Sequence, residues 1–237
     1  MGPSDFPTTR WTLVIAAADP QREDARSALV SLCESYWYPL YAYVRRRGYP
    51  ADQAQDLTQE FFVRVLAGRY LDRADADKGR FRAFILTSLK FFLADEADRH
   101  RAQKRGGGSV LSLEISSGED RYQRDPAHDE TPERIFERRW ALSMLDKVID
   151  RLRAEFVRHG RLDHFNRLKV FLLDQAETPY AALAREMGTS EGALKVAIHR
   201  LRKRYRDLFR QEIAETVADP ADVESELRFL AAALTRK

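Results

Sequence analysis

The chain has 237 residues, of which 44% are hydrophobic and 11% aromatic, so it can bury one large core or two small ones. Its 40 lysines and arginines and its 37 aspartates and glutamates leave a formal net charge of only +3. A single cysteine, Cys33, excludes an intramolecular disulfide and a multi-cysteine zinc site. There is neither an apolar run of membrane-spanning length nor a secretory signal pattern, so we expect a cytoplasmic protein.

The spacing of apolar residues predicts an all-α chain, because they recur at three- and four-residue steps and almost no segment alternates as a strand does. Residues 1–23 form an N-terminal extension. The first helix falls within 24–47, where Pro39 is expected to kink or split it. A second helix is predicted from Asp52 to Ala67 and a third from about Phe81 to Arg101.

A polar stretch follows the third helix. It begins at three consecutive glycines, Gly106 to Gly108, and between Gly106 and Glu133 it has seven acidic residues and two arginines. A structureless segment of this length is unusual inside a compact domain. We therefore interpret 106–130 as an acidic linker between two small helical domains, 24–105 and 131–215.

The second half of the chain is also predicted to be helical. Thr131-Pro132 is typical of an N-cap followed by proline at the first helical position, and a further helix is expected over about 163–174. A C-terminal helical extension occupies 216–237. The residues of the long helix that are predicted to face inward are Leu142, Leu145, Ile149, Leu152 and Phe156.

Residues 178–213 have the punctuation of a helix-turn-helix. Thr178-Pro179 predicts the start of a short amphipathic helix, and Gly188 supplies the permissive backbone of a tight turn. A longer helix follows from about Glu191. A short helix, a glycine-containing turn and a longer helix in this order are typical of the DNA-binding motif.

The longer helix has one apolar and one basic face. Between Lys195 and Arg210 there are seven basic residues and one acidic residue. A recognition helix contacts base edges with its N-terminal residues, and basic flanks contact phosphates. The alternative, a solvated basic helix in an ordinary bundle, is less favoured because the turn and the first helix accompany the charge. The residues expected to contact bases are Glu191, Gly192, Lys195, Val196 and His199, and those expected to contact phosphates are Arg200, Arg202 and Lys203.

The segment TPYAALAREMGTSEGALKVAIHRLRKRYRDLF resembles the promoter-binding domain 4 of extracytoplasmic-function (ECF) sigma factors, a subfamily of sigma-70-type RNA polymerase sigma factors. The resemblance implies binding to the minus-thirty-five element and adds Ser190 to the DNA-contacting set. Ala197 stands where a basic residue is common in the family, so one DNA contact is missing or moved. The matching residues are Gly188, Ser190, Gly192, Lys195, His199, Arg200 and Arg202.

The segment DQAQDLTQEFFVRVL is similar to the part of sigma domain 2 that binds the coiled coil of the polymerase beta-prime subunit. The periodicity agrees with a binding role, because three hydrophilic residues are predicted to lie away from the apolar face formed by Leu57, Phe61 and Val65. A plain solvated face is the alternative. The residues that the resemblance assigns to polymerase binding are Asp56, Leu57, Gln59, Glu60 and Phe61.

The segment KGRFRAFILTSLKFFLADEADRHRAQKR resembles the part of domain 2 that melts and reads the minus-ten element, with Phe81, Arg82, Phe84, Leu86, Asp95 and Arg99 in matching positions. Phe84 replaces the usual tryptophan, and Lys90-Phe91 replaces the usual Arg-Asn pair. Aromatic residues beside bases suit single-strand stacking, whereas Phe92 is expected in the core. The residues assigned to minus-ten DNA are Phe84, Lys90, Phe91, Arg99 and Arg101.

The two resemblances, in this order, imply a promoter-specificity subunit. Its partners would be core RNA polymerase, through the beta-prime coiled coil and the beta flap, and promoter DNA; an anti-sigma factor is a further candidate partner. We expect no enzymatic activity, no cofactor and no metal. Two alternatives stay open, namely a helix-turn-helix regulator that binds DNA without polymerase and a sigma-like interaction protein.

Overall fold

A computed structural model describes residues 25–67, 80–102, 118–123, 130–172, 179–217 and 219–235, without the side chains of 25–34, 66 and 100–102. The predicted all-α class is confirmed, since these residues form nine α-helices and two short 3-10 helices and contain no strand. Short 3-10 helices cover Lys169–Phe171 and Pro220–Asp222. The α-helices are α1 (Ala25–Arg46), α2 (Ala51–Leu66), α3 (Phe81–Ala102), α4 (Gly118–Gln123), α5 (Pro132–Arg158), α6 (Leu162–Leu168), α7 (Tyr180–Glu186), α8 (Glu191–Ala214) and α9 (Val223–Thr235).

Two compact units contain these helices. The first takes its described residues from Met1–Ser143 and Ile213–Lys237, and the second is Met144–Glu212. This division differs from the predicted domains, because the first turns of α5 and the whole of α9 pack into the first unit. The two boundaries therefore fall within α5, after Ser143, and near the end of α8, before Ile213, rather than in the predicted linker.

The first unit has an aromatic core. The ring of Tyr36 in α1 meets the edge of Phe81 in α3 at a centroid distance of 5.3 Å, and stacks near Trp140 of α5 at 6.2 Å. Phe61 of α2 and Phe92 of α3, 5.7 Å apart, are also fully buried. The prediction that Phe92 is a core residue is therefore confirmed.

Pro39 does not split α1, contrary to one of the two outcomes expected for it. The helix is continuous from Ala25 to Arg46. Pro39 removes one backbone donor, but the residues on both sides of it, from Tyr36 to Val44, are all buried. Tertiary packing of these residues outweighs the cost of one missing hydrogen bond.

The interpretation of 106–130 as irregular linker is wrong for part of this segment. Residues 118–123 form α4, which packs against α1. Glu119 accepts hydrogen bonds from the Tyr41 hydroxyl and from two nitrogens of Arg45, both at 2.8 Å. Gly118 lies so close to Trp37 that an added Cβ would be 2.9 Å from the indole ring. The remaining predicted linker lies outside the described residues, apart from Glu130.

The second unit has a core made mainly of aliphatic side chains. Leu194, Ile198 and Leu201 of α8 are each 2–3% exposed and pack with Val148, Leu152 and Phe165. The apolar face predicted for the longer helix is confirmed, because these three α8 residues are four and three positions apart and all buried. In α5 the buried face is shifted from the predicted one: among the expected residues only Leu152 is fully buried, and the others are half-buried. The fully buried neighbours are Trp140, Ala141, Met144 and Val148.

Candidate nucleic-acid and polymerase interfaces

Helix α2 presents two acidic side chains to solvent. Asp56 and Glu60, one helical turn apart, are exposed, while Leu57 and Phe61 are 7% and 0% exposed. Of the five residues assigned to polymerase binding, Asp56 and Glu60 are therefore available to a partner, whereas Leu57 and Phe61 build the core that orients them.

Gln59 does not reach the surface, so the prediction that it lies away from the core is wrong. It is 6% exposed, and its Oε1 atom accepts no hydrogen bond from the part of the chain that the structure describes. Because α2 packs against both α1 and α3, its buried arc is wider than the apolar residues alone indicate. Thr58 is buried as well and donates its hydroxyl proton to the Ala54 carbonyl oxygen at 2.7 Å.

Arg64 of α2 contacts two carboxylates and one aromatic ring. Its guanidinium donates to Glu60 at 2.8 Å and to Glu96 of α3 at 2.7 Å, and it lies over the Phe92 ring. Glu96 also accepts from Arg99 at 2.8 Å. Burial acts to lower the pKa of Arg64, but the hydrogen bonds to the two carboxylates raise it overall. The result is a chain of charges from Glu60 on α2 to Arg99 on α3.

The residues assigned to minus-ten DNA lie in different environments along α3. Phe84 is half-buried against Phe81, with ring centroids 5.8 Å apart, whereas Phe91 is 52% exposed. Lys90 forms an ion pair of 2.8 Å with Glu133 of α5. This contact holds the pKa of the Glu133 carboxyl below its ordinary value. The side chain of Arg101 lies outside the described residues.

Three other α3 residues matched the minus-ten segment. Leu86 is half-buried and Asp95 is exposed. Arg82 is 6% exposed, and its guanidinium donates to Glu226 of α9, so it is not presented to a ligand. Arg82 therefore belongs to the packing of the first unit.

The turn between α7 and α8 contains the glycine that the sequence predicts there. Gly188 has a φ angle of +63°, which favours glycine, and its N–H donates to the Arg185 carbonyl at 3.1 Å. The Thr189 N–H donates to the Ala184 carbonyl at 2.9 Å, which completes a Schellman motif. Ser190 then caps α8, since its Oγ accepts the Ala193 N–H at 3.2 Å.

Helix α8 exposes most of the residues predicted to contact DNA. Lys195, which pairs with Glu191 at 2.7 Å, has a raised pKa because Glu191 accepts its hydrogen bond. Gly192 borders open space, since a Cβ added there would meet nothing within 4 Å. The exposed members of the predicted set are Ser190, Glu191, Gly192, Lys195, Val196, His199, Arg200 and Lys203.

Two basic residues of α8 are held by the protein itself. Arg202 is half-buried, and its Nε donates to the Phe171 carbonyl at 2.8 Å, so the expected phosphate contact competes with an internal hydrogen bond. Arg204 forms a bidentate pair with Glu155 of α5 at 2.9 and 2.5 Å. This pair lowers the pKa of Glu155 and raises that of Arg204. The outward basic face is therefore narrower than the sequence indicates.

Sequence reasoning missed the residues that hold these interfaces from a distance. Glu133 forms an ion pair with Lys90, Glu119 of α4 forms one with Arg45 of α1, and Glu226 forms one with Arg82. Each is an acidic residue in a segment assigned to the linker, to the start of domain 4 or to the C-terminal extension. For Glu226 a signal existed, because a carboxylate at position 226 interrupts the apolar face of α9 between Val223 and Leu230.

Comparison with known families finds a match for one segment of the first unit. Residues 32–105, which include most of α1 and all of α2 and α3, match the family model of Sigma-70 region 2. The match supports a sigma-70 family sigma factor with a role in transcription initiation. Comparisons with curated proteins and with solved structures each found no significant match.

The described part of the chain contains no helix that combines the length and the apolar character that crossing a membrane requires. It also contains no group of three or more histidine, cysteine, aspartate or glutamate residues arranged to hold a metal ion.

Proposed function

We propose that the protein is an ECF-type sigma factor that directs core RNA polymerase to specific promoters and assists initiation. The observation that carries this proposal is the exposed basic face of α8, which follows a glycine turn in a chain whose residues 32–105 match Sigma-70 region 2. Region 2 alone accounts for polymerase and minus-ten contacts. The helix-turn-helix supplies the second promoter contact that the proposal requires.

Domain 4, as proposed, places the N-terminal half of α8 in the major groove of the minus-thirty-five element. Arg200 and Lys203 are exposed and follow the residues expected at the base edges, so they can contact phosphates on either side of the groove. Ser190 and Gly188 act through the local backbone, because they cap the two helices and thereby fix the angle between them. Arg202 can reach a phosphate only by releasing Phe171.

Polymerase binding is assigned to the acidic face of α2. Asp56 and Glu60 are exposed carboxylates separated by one turn, which suits a partner helix with basic residues, as we propose for the beta-prime coiled coil. Arg64 holds Glu60 in a defined position and so reduces the entropy lost on docking. The beta flap is the partner proposed for domain 4.

Minus-ten recognition is assigned to the exposed residues of α3. Phe91 offers a ring to an unstacked base, and Arg99 offers a cation to the backbone. Lys90 must exchange Glu133 for a phosphate, which favours DNA only when the rest of the interface forms. Phe84 packs on Phe81 and supports this surface rather than forming it.

Reconstituted transcription tests the proposal. Core RNA polymerase with the full-length protein should initiate from a subset of a genomic promoter library, and core alone should not. Binding to the same DNA without polymerase, with no initiation, would favour the helix-turn-helix regulator. Binding to core without promoter selection would favour the sigma-like interaction protein. An anti-sigma factor that covers α2 or α8, and a cytoplasmic location beside the polymerase, are further parts of the proposal.

A further inference from the structure

Val196 is an apolar residue on the basic helix α8. Its side chain is 49% exposed. With 3.6 residues per turn, position 196 lies opposite the buried seam of Leu194, Ile198 and Leu201. Val196 is therefore at the centre of the outward face rather than at its edge.

The neighbours of Val196 on this face allow close approach to a ligand and carry positive charge. Gly192 lies one turn earlier, and a side chain at this position would project into open space. His199, Arg200 and Lys203, within two turns after it, are exposed. A small apolar side chain with basic residues around it suits a polyanionic ligand that has an apolar group flanked by phosphates.

We infer that Val196 contacts the 5-methyl group of a thymine in the major groove of the minus-thirty-five element and so determines part of promoter specificity. This inference rests on the proposed function. In the major groove thymine presents its methyl group beside O4, and cytosine has no methyl group there. Contact between the isopropyl group of valine and that methyl group buries apolar surface and is therefore favourable. Contact with the exocyclic amine of cytosine gives no comparable free energy.

Replacing thymine with deoxyuridine tests the contact, since it removes only the methyl group. The probe is a duplex selected by the wild-type protein with core polymerase from randomised promoters, with each thymine of the minus-thirty-five element replaced in turn. At one position the replacement should weaken binding about fourfold, the effect of one buried methyl group. In V196A the same replacement should change binding by less than about 1.5-fold, because the partner of the methyl group is gone.

The control variant is V170A, since Val170 is an exposed valine of the same unit outside the helix-turn-helix, at 42% exposure. It should keep the full fourfold penalty. The inference is overturned if V196A keeps the loss of affinity on deoxyuridine replacement at every thymine, or if the wild-type protein shows no such loss at any thymine. In either case, salt-dependent promoter binding and initiation would leave the proposed function standing. Failure to select any duplex counts instead against the proposed function, and the inference falls with it.

Discussion

Glu226 of α9 lies fully buried against Arg82 of α3, with donor–acceptor distances of 2.5 and 3.2 Å. Arg80 reaches the same carboxylate at 2.8 Å, and the Arg82 guanidinium lies 3.6 Å from the centroid of the Phe229 ring. A backbone hydrogen bond joins the same two segments of the chain, because the Phe81 N–H donates to the Thr216 carbonyl at 3.1 Å. The C-terminal helix is thus joined to the start of the helix proposed to read the minus-ten element.

We expect E226Q to lower the free energy of unfolding of the first unit by about 3–5 kcal/mol, since it removes the fully buried carboxylate charge next to Arg82 and leaves only the more distant Glu137, at 3.8 Å. Chemical denaturation of the full-length protein, followed by circular dichroism, measures this change. E224Q, at an exposed position of the same helix, should change it by less than about 0.5 kcal/mol. A loss of about 1 kcal/mol or less in E226Q would mean that the pair adds little to stability.

Charge reversal on α2 should abolish polymerase binding without unfolding the protein. For the double variant D56K/E60K we expect at least about a hundredfold weaker binding to core polymerase. Both residues are exposed, and loss of the Glu60–Arg64 pair costs at most about 1 kcal/mol of stability. Fluorescence anisotropy with labelled protein measures the affinity. D150K, a single charge reversal at an exposed position of α5, should bind core normally, and normal binding by D56K/E60K would contradict the proposed interface.

Salt dependence separates phosphate contacts from structural arginines. R200A and K203A should each reduce the slope of log Kobs against log salt concentration by about one for promoter duplex binding. R167A is the matched control, because Arg167 is a basic residue of the same unit that pairs with Asp163 on α6. A slope that R200A and K203A leave unchanged would show that these residues do not contact phosphates.

Acid should release α4 from α1. The hydrogen bond from Arg45 holds the pKa of Glu119 below its ordinary value, so its contribution to docking is present above the unfolded pKa and is lost as the pH falls through the folded one. We expect the protection of the backbone amides of 118–123 against hydrogen exchange to decrease once the pH is below the ordinary pKa range of a glutamate. E119Q should lose this pH dependence, whereas D120N, its exposed neighbour, should retain it. Protection that is independent of pH in the wild type would argue against the role of Glu119.

Periodicity predicted the elements that carry the site, and it failed where a polar residue packs as a core residue. Leu57 and Phe61 on α2, and Leu194 and Ile198 on α8, are buried as their spacing indicates. Gln59 lies inside the same unit because two helices, not one, cover α2. A one-dimensional pattern gives the face of a helix but not the number of neighbours that cover it.

Charge was harder to interpret than apolar spacing. Arg202 and Arg204 belong to the basic segment of α8. They nevertheless donate hydrogen bonds to Phe171 and Glu155, which lie 31 and 49 residues away in sequence. The partners of Arg82 and Arg45 are 144 and 74 residues away. Such pairings depend on tertiary structure, so the sequence could locate the basic helix but not which of its cations stay available.

The buried Glu226 also bears on how the chain folds during synthesis. A nascent chain that has emerged through Glu212 contains every residue of the second unit but lacks the carboxylate that neutralises Arg82. The first unit is therefore discontinuous in sequence, and closing it requires a contact across 144 residues. On the ribosome, the unit that begins earlier in the chain is the one that must finish later.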